Sequence, residues 1–150
     1  MSVAKQKAII VDLDGTLCNV DHRVHHVQKK EKDWKLFNEG MAHDGIYLWC
    51  FELILSMKNS GYEIIFLTGR DNSYRDQTCT WLEKNKIQYD TLHMREVTDH
   101  REDHIIKNEI YMRVIEPQKN VLFVLDDRLS VVKMWREIGL ICLQCDWGDF

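Results

Sequence analysis

Three short stretches of this chain carry side chains that could act on one substrate together. Asp12 and Asp14 close the Ile- and Val-rich run at residues 8–13, within Asp-Leu-Asp-Gly-Thr. Thr68 and Arg70 follow Glu-Ile-Ile-Phe-Leu, and Asp126 and Asp127 follow Val-Leu-Phe-Val-Leu. A single acid after an apolar run is ordinarily a cap. Two adjacent acids after one run, with two more after another, suggest a shared site. Carboxylates gathered in one cleft repel one another, which raises their pKa values and lowers stability. A divalent cation removes that conflict. An oxygen-only donor set suits magnesium, which takes one or two carboxylates and shares its other positions with water and a substrate phosphate. A carboxylate nucleophile, magnesium and a phosphate make a phosphoryl-transfer site, with basic groups holding the equatorial oxygens.

The elements that must position these groups are strands and helices in alternation. Apolar runs at residues 8–13, 63–67, 89–94, 121–125 and 140–144 read as strands buried on both faces of a parallel sheet. Helical spacing joins Tyr74, Thr78, Trp81 and Leu82, with Ser73 and Asp76 resembling a capping box. Ile106, Ile110 and Val114 mark a helix that stops before Pro117; Leu129, Val132, Trp135 and Ile138 mark another, closed by Gly139. Residues 46–58 form a further helix, and 24–38 a short one or two. The expected fold is a doubly wound, Rossmann-like α/β domain. It has a five-stranded parallel sheet with helices on both faces and spans residues 1–150 as a single domain. Residues 18–45 can supply only a small flap, with no large cap. In such sheets ligands bind beyond the carboxyl ends of the strands, where the acids stand.

Composition narrows the classes. The formal net charge of -4 argues against a protein that coats long stretches of nucleic acid, though not against a pocket for one phosphate end. Five cysteines, an odd number, and no signal peptide favour a reducing cytoplasm. Cys142 and Cys145 have C-x-x-C spacing, but no second pair completes a zinc set. No apolar run is long enough for a bilayer, so no membrane association is expected.

The residues also carry a resemblance. Asp12-Leu13-Asp14-Gly15-Thr16 resembles the D-x-D-G-T signature of the haloacid dehalogenase (HAD) superfamily of phosphatases. Thr68 resembles its second motif, Lys107 its third and Asp126-Asp127 its fourth, in the right order. A narrower resemblance covers nearly the whole chain. It rests on Phe66-Leu67-Thr68-Gly69-Arg70, Arg101-Glu102-Asp103-His104-Ile105-Ile106-Lys107, Leu125-Asp126-Asp127-Arg128, Val132-Lys133-Met134-Trp135-Arg136 and Gly148-Asp149-Phe150. These look like the 3′-phosphatase domain of bacteriophage-type polynucleotide kinase–phosphatase. Its bifunctional members carry a kinase with a G-x-x-x-x-G-K-[ST] loop, which this sequence lacks; kinase activity is not expected.

That resemblance implies a magnesium-dependent phosphomonoesterase that frees 3′-phosphorylated DNA or RNA ends of phosphate, through an aspartyl-phosphate. A separate kinase or ligase is the partner it suggests. Asp12 would be the nucleophile and a metal ligand. Asp14 would act as acid and then base, its pKa raised for the purpose, with its main-chain carbonyl on the metal. Thr68 and Lys107 would hold phosphate oxygens, and Asp126 and Asp127 would complete the metal site. Arg23, Arg70 and Asp103 would face the substrate, Asp103 also orienting Lys107 one turn away.

Plainer readings stand beside these: a loop cap for Asp14, a solvated helix lysine for Lys107, surface arginines for Arg23 and Arg70, and a first-turn acid for Asp103. His22, His25 and His26 read as solvated flap residues rather than metal ligands. Trp34, Phe37 and Met41 read as core rather than a base-stacking platform, and the Lys29–Lys35 stretch as a solvated face. Two other functions remain: a small-molecule phosphatase such as a nucleotidase, which would share every catalytic motif, and a non-catalytic nucleic-acid-binding module.

Overall fold

The computed structural model describes residues 4–148 and Phe150; Asp149 of the terminal motif lies outside the described residues. The elements run β1 (Gln6–Val11), β2 (Cys18–Asn19), α1 (Trp34–Glu39), β3 (Gly45–Ile46), α2 (Leu48–Asn59) and β4 (Glu63–Asp71). They continue with α3 (Arg75–Lys84), β5 (Thr91–Arg95), α4 (Asp103–Ile110), β6 (Lys119–Asp126), α5 (Leu129–Glu137) and β7 (Cys142–Gln144). Five strands form one sheet in the order β5-β4-β1-β6-β7, every pair parallel. β1 lies at its centre, between β4 and β6. The order reverses direction there, so a crevice opens at the carboxyl end of β1.

The apolar runs are continuous because alternate residues serve opposite faces. Ile9, Val11, Ile64 and Phe66 pack with Cys50 and Ile54 of α2 and with Trp81 and Leu82 of α3. Ala8, Ile10, Ile65 and Leu67 pack on the other face with Ile106 and Ile110 of α4 and Val131, Val132 and Trp135 of α5. Burying each such side chain contributes about 1.5–3 kcal/mol. α4 runs into a π turn at Tyr111–Ile115, which sets the Tyr111 ring edge-on against Trp135 at 5.6 Å.

The flap is a short antiparallel pair, β2 with β3, closing the neck of a segment that carries α1 and two 3-10 turns. Trp81 Nε1 donates to the Asp44 carbonyl at 3.0 Å and ties the flap to α3.

Local expectations need correction. The second sheet strand does not end at Leu67 but continues to Asp71, with a register irregularity against β5 between Leu67 and Asp71. Gly69 lies within this irregular extended end. Ser73 does not cap α3: Asp71 accepts from the Ser73 amide and starts the preceding 3-10 turn. Phe37 and Met41 are core, but Trp34 is 40% exposed.

Candidate active site

Asp12 stands one residue past β1, its amide donating to the Leu125 carbonyl at 3.0 Å. A tight turn follows, in which the Thr16, Leu17 and Cys18 amides all donate to the Leu13 carbonyl. Gly15 has φ +84°, and a Cβ there would lie 2.3 Å from Asp127 Oδ2. Only glycine lets the β1 loop and the β6 end approach this closely. Thr16 Oγ1 donates to Asp127 Oδ1 at 3.2 Å and lies 3.4 Å from Asp12 Oδ2.

The result is a trio, Asp12, Asp126 and Asp127, whose carboxylate oxygens lie within 4.8 Å of one another. Lys107, buried in α4, reaches in and donates to Asp12 Oδ1 and Asp126 Oδ2, both at 2.9 Å. Asp103, one turn before it, pairs with the same ammonium at 3.4 Å. Burial and the neighbouring Asp126 push the Asp12 carboxyl well above its ordinary range, against the pull of Lys107. Asp127 is raised to about 6, again by burial and then by Asp126. Lys107 goes up as well, because Asp103, Asp12 and Asp126 outweigh its burial. For Asp103, Lys107, Arg128 and Arg95 overcome burial and hold the carboxyl low. Asp126 is fully engaged: Oδ2 takes Lys107, while Oδ1 accepts the Asp127 and Arg128 amides at the start of α5.

A second network lies beside the first. Arg23 from the flap and Arg70 from β4 both donate to Asp14 Oδ1 at 2.6 Å. Arg23 also grips Asp44 with Nε and Nη2, at 2.7 and 2.6 Å. Both arginines are buried, so the surface reading fails for both. Burial would raise Asp14, but Arg70 and Arg23 prevail and hold it well below the usual carboxylate range. The expected upward shift is therefore reversed in this arrangement: two guanidinium partners stabilise the charged form. Asp14, Cys18 and Asp44 lie close enough to hold a cation, but the two guanidiniums already neutralise these acids. Asp14's side chain is outside the trio.

Asp44 is the residue that sequence reasoning missed. His-Asp-Gly in a flap reads as a turn acid, and only the fold shows two buried arginines converging on it. His22 also reaches Asp44, at 2.7 Å, while the His25 and His26 rings stack on each other at 4.0 Å. Thr68 is buried, and its Oγ1 accepts the Arg70 amide. Cys142 and Cys145 are free thiols, Cys142 buried at the sheet edge.

Asp12, Asp14, Thr68, Arg70, Asp103, Asp126 and Asp127 line one open cleft of about 1510 Å³ at the carboxyl end of the sheet. Ligand pockets for small molecules usually measure about 300–1,000 Å³. No helix among the described residues is long and apolar enough to cross a membrane.

An open α/β sheet with ordered acids at its central switch point defines a HAD-type domain. Residues 6–150 match the family described as polynucleotide kinase PNKP phosphatase domain, and the chain belongs to that family. A bifunctional polynucleotide kinase/RNA ligase of Autographa californica nuclear polyhedrosis virus is 29% identical over 136 residues, covering 89% of this chain and 18% of the viral protein. Among solved structures, a chain of the Pnkp1/Rnl/Hen1 RNA repair complex is 37% identical with a TM-score of 0.85, covering 97% of this chain and 44% of that one. A class C acid phosphatase from Bacillus anthracis shares the fold, with a TM-score of 0.70 at 12% identity, covering 99% of this chain and 69% of that one. The chain thus spans less than half the length of the first two.

Proposed function

We propose that this chain is a magnesium-dependent polynucleotide 3′-phosphatase acting in nucleic-acid end repair. The observation that carries the chemistry is Lys107 Nζ bridging Asp12 and Asp126 within an acidic trio. The donor set is all oxygen and short of positive charge, which fits magnesium. Asp12, Asp127 and the Asp14 carbonyl would hold it, with Asp126 positioning Lys107 or a ligand water. When bound, the ion would supply the charge that lets a carboxylate approach a phosphate.

Asp12 attacks phosphorus in line, the bond to the 3′ oxygen breaks, and an aspartyl-phosphate forms. Lys107 and the Thr68 hydroxyl hold non-bridging oxygens. Asp14 protonates the leaving oxygen and then takes a proton from the water that hydrolyses the intermediate. To give a proton Asp14 must first gain one, so its pairing with Arg23 and Arg70 has to loosen. An arriving phosphate dianion competes for those guanidiniums and provides the means.

Family membership supports a polynucleotide end as substrate, and the open cleft accommodates a polymer better than an enclosed metabolite. The viral relative and the repair complex support a setting with a separate kinase or ligase. The test is phosphate release, with magnesium, from a 3′-phosphorylated oligonucleotide, a 5′-phosphorylated one and mononucleotides. Release from the 3′ end is expected, and Asp12→Asn should abolish it with the fold intact. Release from mononucleotides alone would favour a nucleotidase and refute the reading.

A further inference from the structure

Above the acids, one wall of the cleft is aromatic. Phe37 lies over the Arg23 guanidinium at 4.2 Å and stacks against Phe150 at 5.6 Å. Trp34 stands edge-on to Phe37 at 5.7 Å, at 89°. Arg128, the residue after the Asp126–Asp127 pair, lies over both Phe150, at 5.0 Å, and Trp34, at 5.9 Å. Lys32 lies over Trp34 at 5.5 Å. Residues Trp147, Gly148 and Phe150 complete this wall. Gly148 crosses the backbone of Asp127 and Arg128 so closely that a Cβ would sit 2.3 Å from the Asp127 carbonyl oxygen. That crossing brings Phe150 onto Phe37 and sets Trp147 on the cleft lining.

Trp34 differs from its neighbours. Phe37 is buried, whereas Trp34 keeps 40% of its surface exposed on a cleft that Arg95, His100 and Arg101 also line. A core role does not need that exposure. Its two cations stand near the outer limit of about 6 Å for a cation–π contact, so they do not seal the ring. An exposed indole beside a guanidinium, next to a phosphate-transfer centre, matches the chemistry that holds an unpaired nucleobase.

The geometry points to Trp34, backed by Arg128, as the platform on which the base of the 3′-terminal nucleotide stacks while its phosphate sits at Asp12. This inference rests on the polynucleotide reading and gives it a specificity-determining residue. The preference for a nucleoside end over any other phosphomonoester then comes from the base, through the flap. Because every base has a π face, the platform is indifferent to sequence.

Wild type, Trp34→Ala and Trp34→Phe are compared with magnesium on a 3′-phosphorylated oligonucleotide and on the same strand with an abasic tetrahydrofuran residue at its 3′ end. A nucleoside 3′-monophosphate and glycerol 2-phosphate complete the set. Trp34→Ala is expected to raise KM about tenfold wherever a terminal base is present, with kcat unchanged. The abasic end and glycerol 2-phosphate should show no change, and Trp34→Phe should restore most of the loss. Equal losses with and without the base would make Trp34 a brace for the flap and overturn the inference, as would an unchanged KM throughout. The polynucleotide reading fails separately if wild type cleaves the mononucleotide but no oligonucleotide; the mononucleotide KM then still reports on the platform. Absence of release from every substrate overturns both.

Discussion

Replacing Asp127 by Asn removes one charge from the least balanced part of the molecule, and the effect on stability follows from the site. Asp127 is 2% exposed, and its pKa is raised from 3.8 to about 6 by burial and by Asp126. A carboxyl raised in the folded state binds its proton more tightly there than in the unfolded chain. Its contribution is therefore fully present below pH 3.8 and is lost as pH rises through 6. At 1.36 kcal/mol per unit, a rise of roughly two units leaves the metal-free protein about 3 kcal/mol less stable at neutral pH than a neutral group would. Asn keeps an oxygen for the Thr16 hydroxyl and carries no charge. In excess chelator at pH 7, Asp127→Asn should therefore raise Tm by roughly 6–12 °C. The measurement is thermal unfolding by circular dichroism across pH 4–8, with and without magnesium. The gap between variant and wild type should open between pH 4 and 6, and magnesium should close it by stabilising only the wild type. A variant no more stable than wild type in chelator at pH 7 would refute the electrostatic reasoning.

Two further outcomes follow from the same geometry. Lys107→Met leaves Asp12, Asp103 and Asp126 without their shared ammonium, which should destabilise the metal-free protein by about 3–5 kcal/mol in urea titrations and abolish turnover even with magnesium. Gly148→Ala drives a Cβ into the Asp127 backbone and should lift the tail off Phe37. Loss of that aromatic contact is worth about 1 kcal/mol, and limited proteolysis should then clip the carboxyl end faster than in wild type.

The sheet was legible because its signal is local: each strand is an unbroken apolar run, and burial on both faces demands that pattern. The acids were legible because they follow those runs directly, and parallel topology places such residues together. Other features depend on contacts that local pattern does not encode. Arg23 and Arg70 read from sequence as substrate-facing, but the carboxylate they both meet when the flap folds back, Asp44, lies 21 residues beyond Arg23. Trp34 sits at helical spacing with Phe37, yet α1 is short and turns only Phe37 inward. The downward shift at Asp14 was misread for the same reason. From sequence, four acids in one cleft argue for mutual repulsion, whereas the fold sorts them into two groups with different counter-charges.

That sorting decides where a cation belongs. In the flap-side group two guanidiniums face two carboxylates, Asp14 and Asp44, with 2.6 Å contacts, so the charge is balanced by the protein itself. In the sheet-side group Asp12, Asp103 and Asp126 share one ammonium and Asp127 stands beside them, while the guanidiniums of Arg95 and Arg128 pair with Asp103, at 3.6 and 3.8 Å. Negative charge is left over around Asp12, and folding alone does not cancel it. The protein therefore keeps Asp14 paired and the group around Asp12 short of positive charge. A metal ion would be attracted to the second group rather than the first, although both are acidic and close enough to hold one. Under the proposed function, a substrate phosphate would work in the opposite sense. It would be repelled by the unneutralised trio until a cation is present, and the guanidiniums it would need are already held by Asp14. Binding of a metal and release of Asp14 would thus be linked through the same phosphate, connecting the flap that carries Arg23 to the proposed chemistry at Asp12.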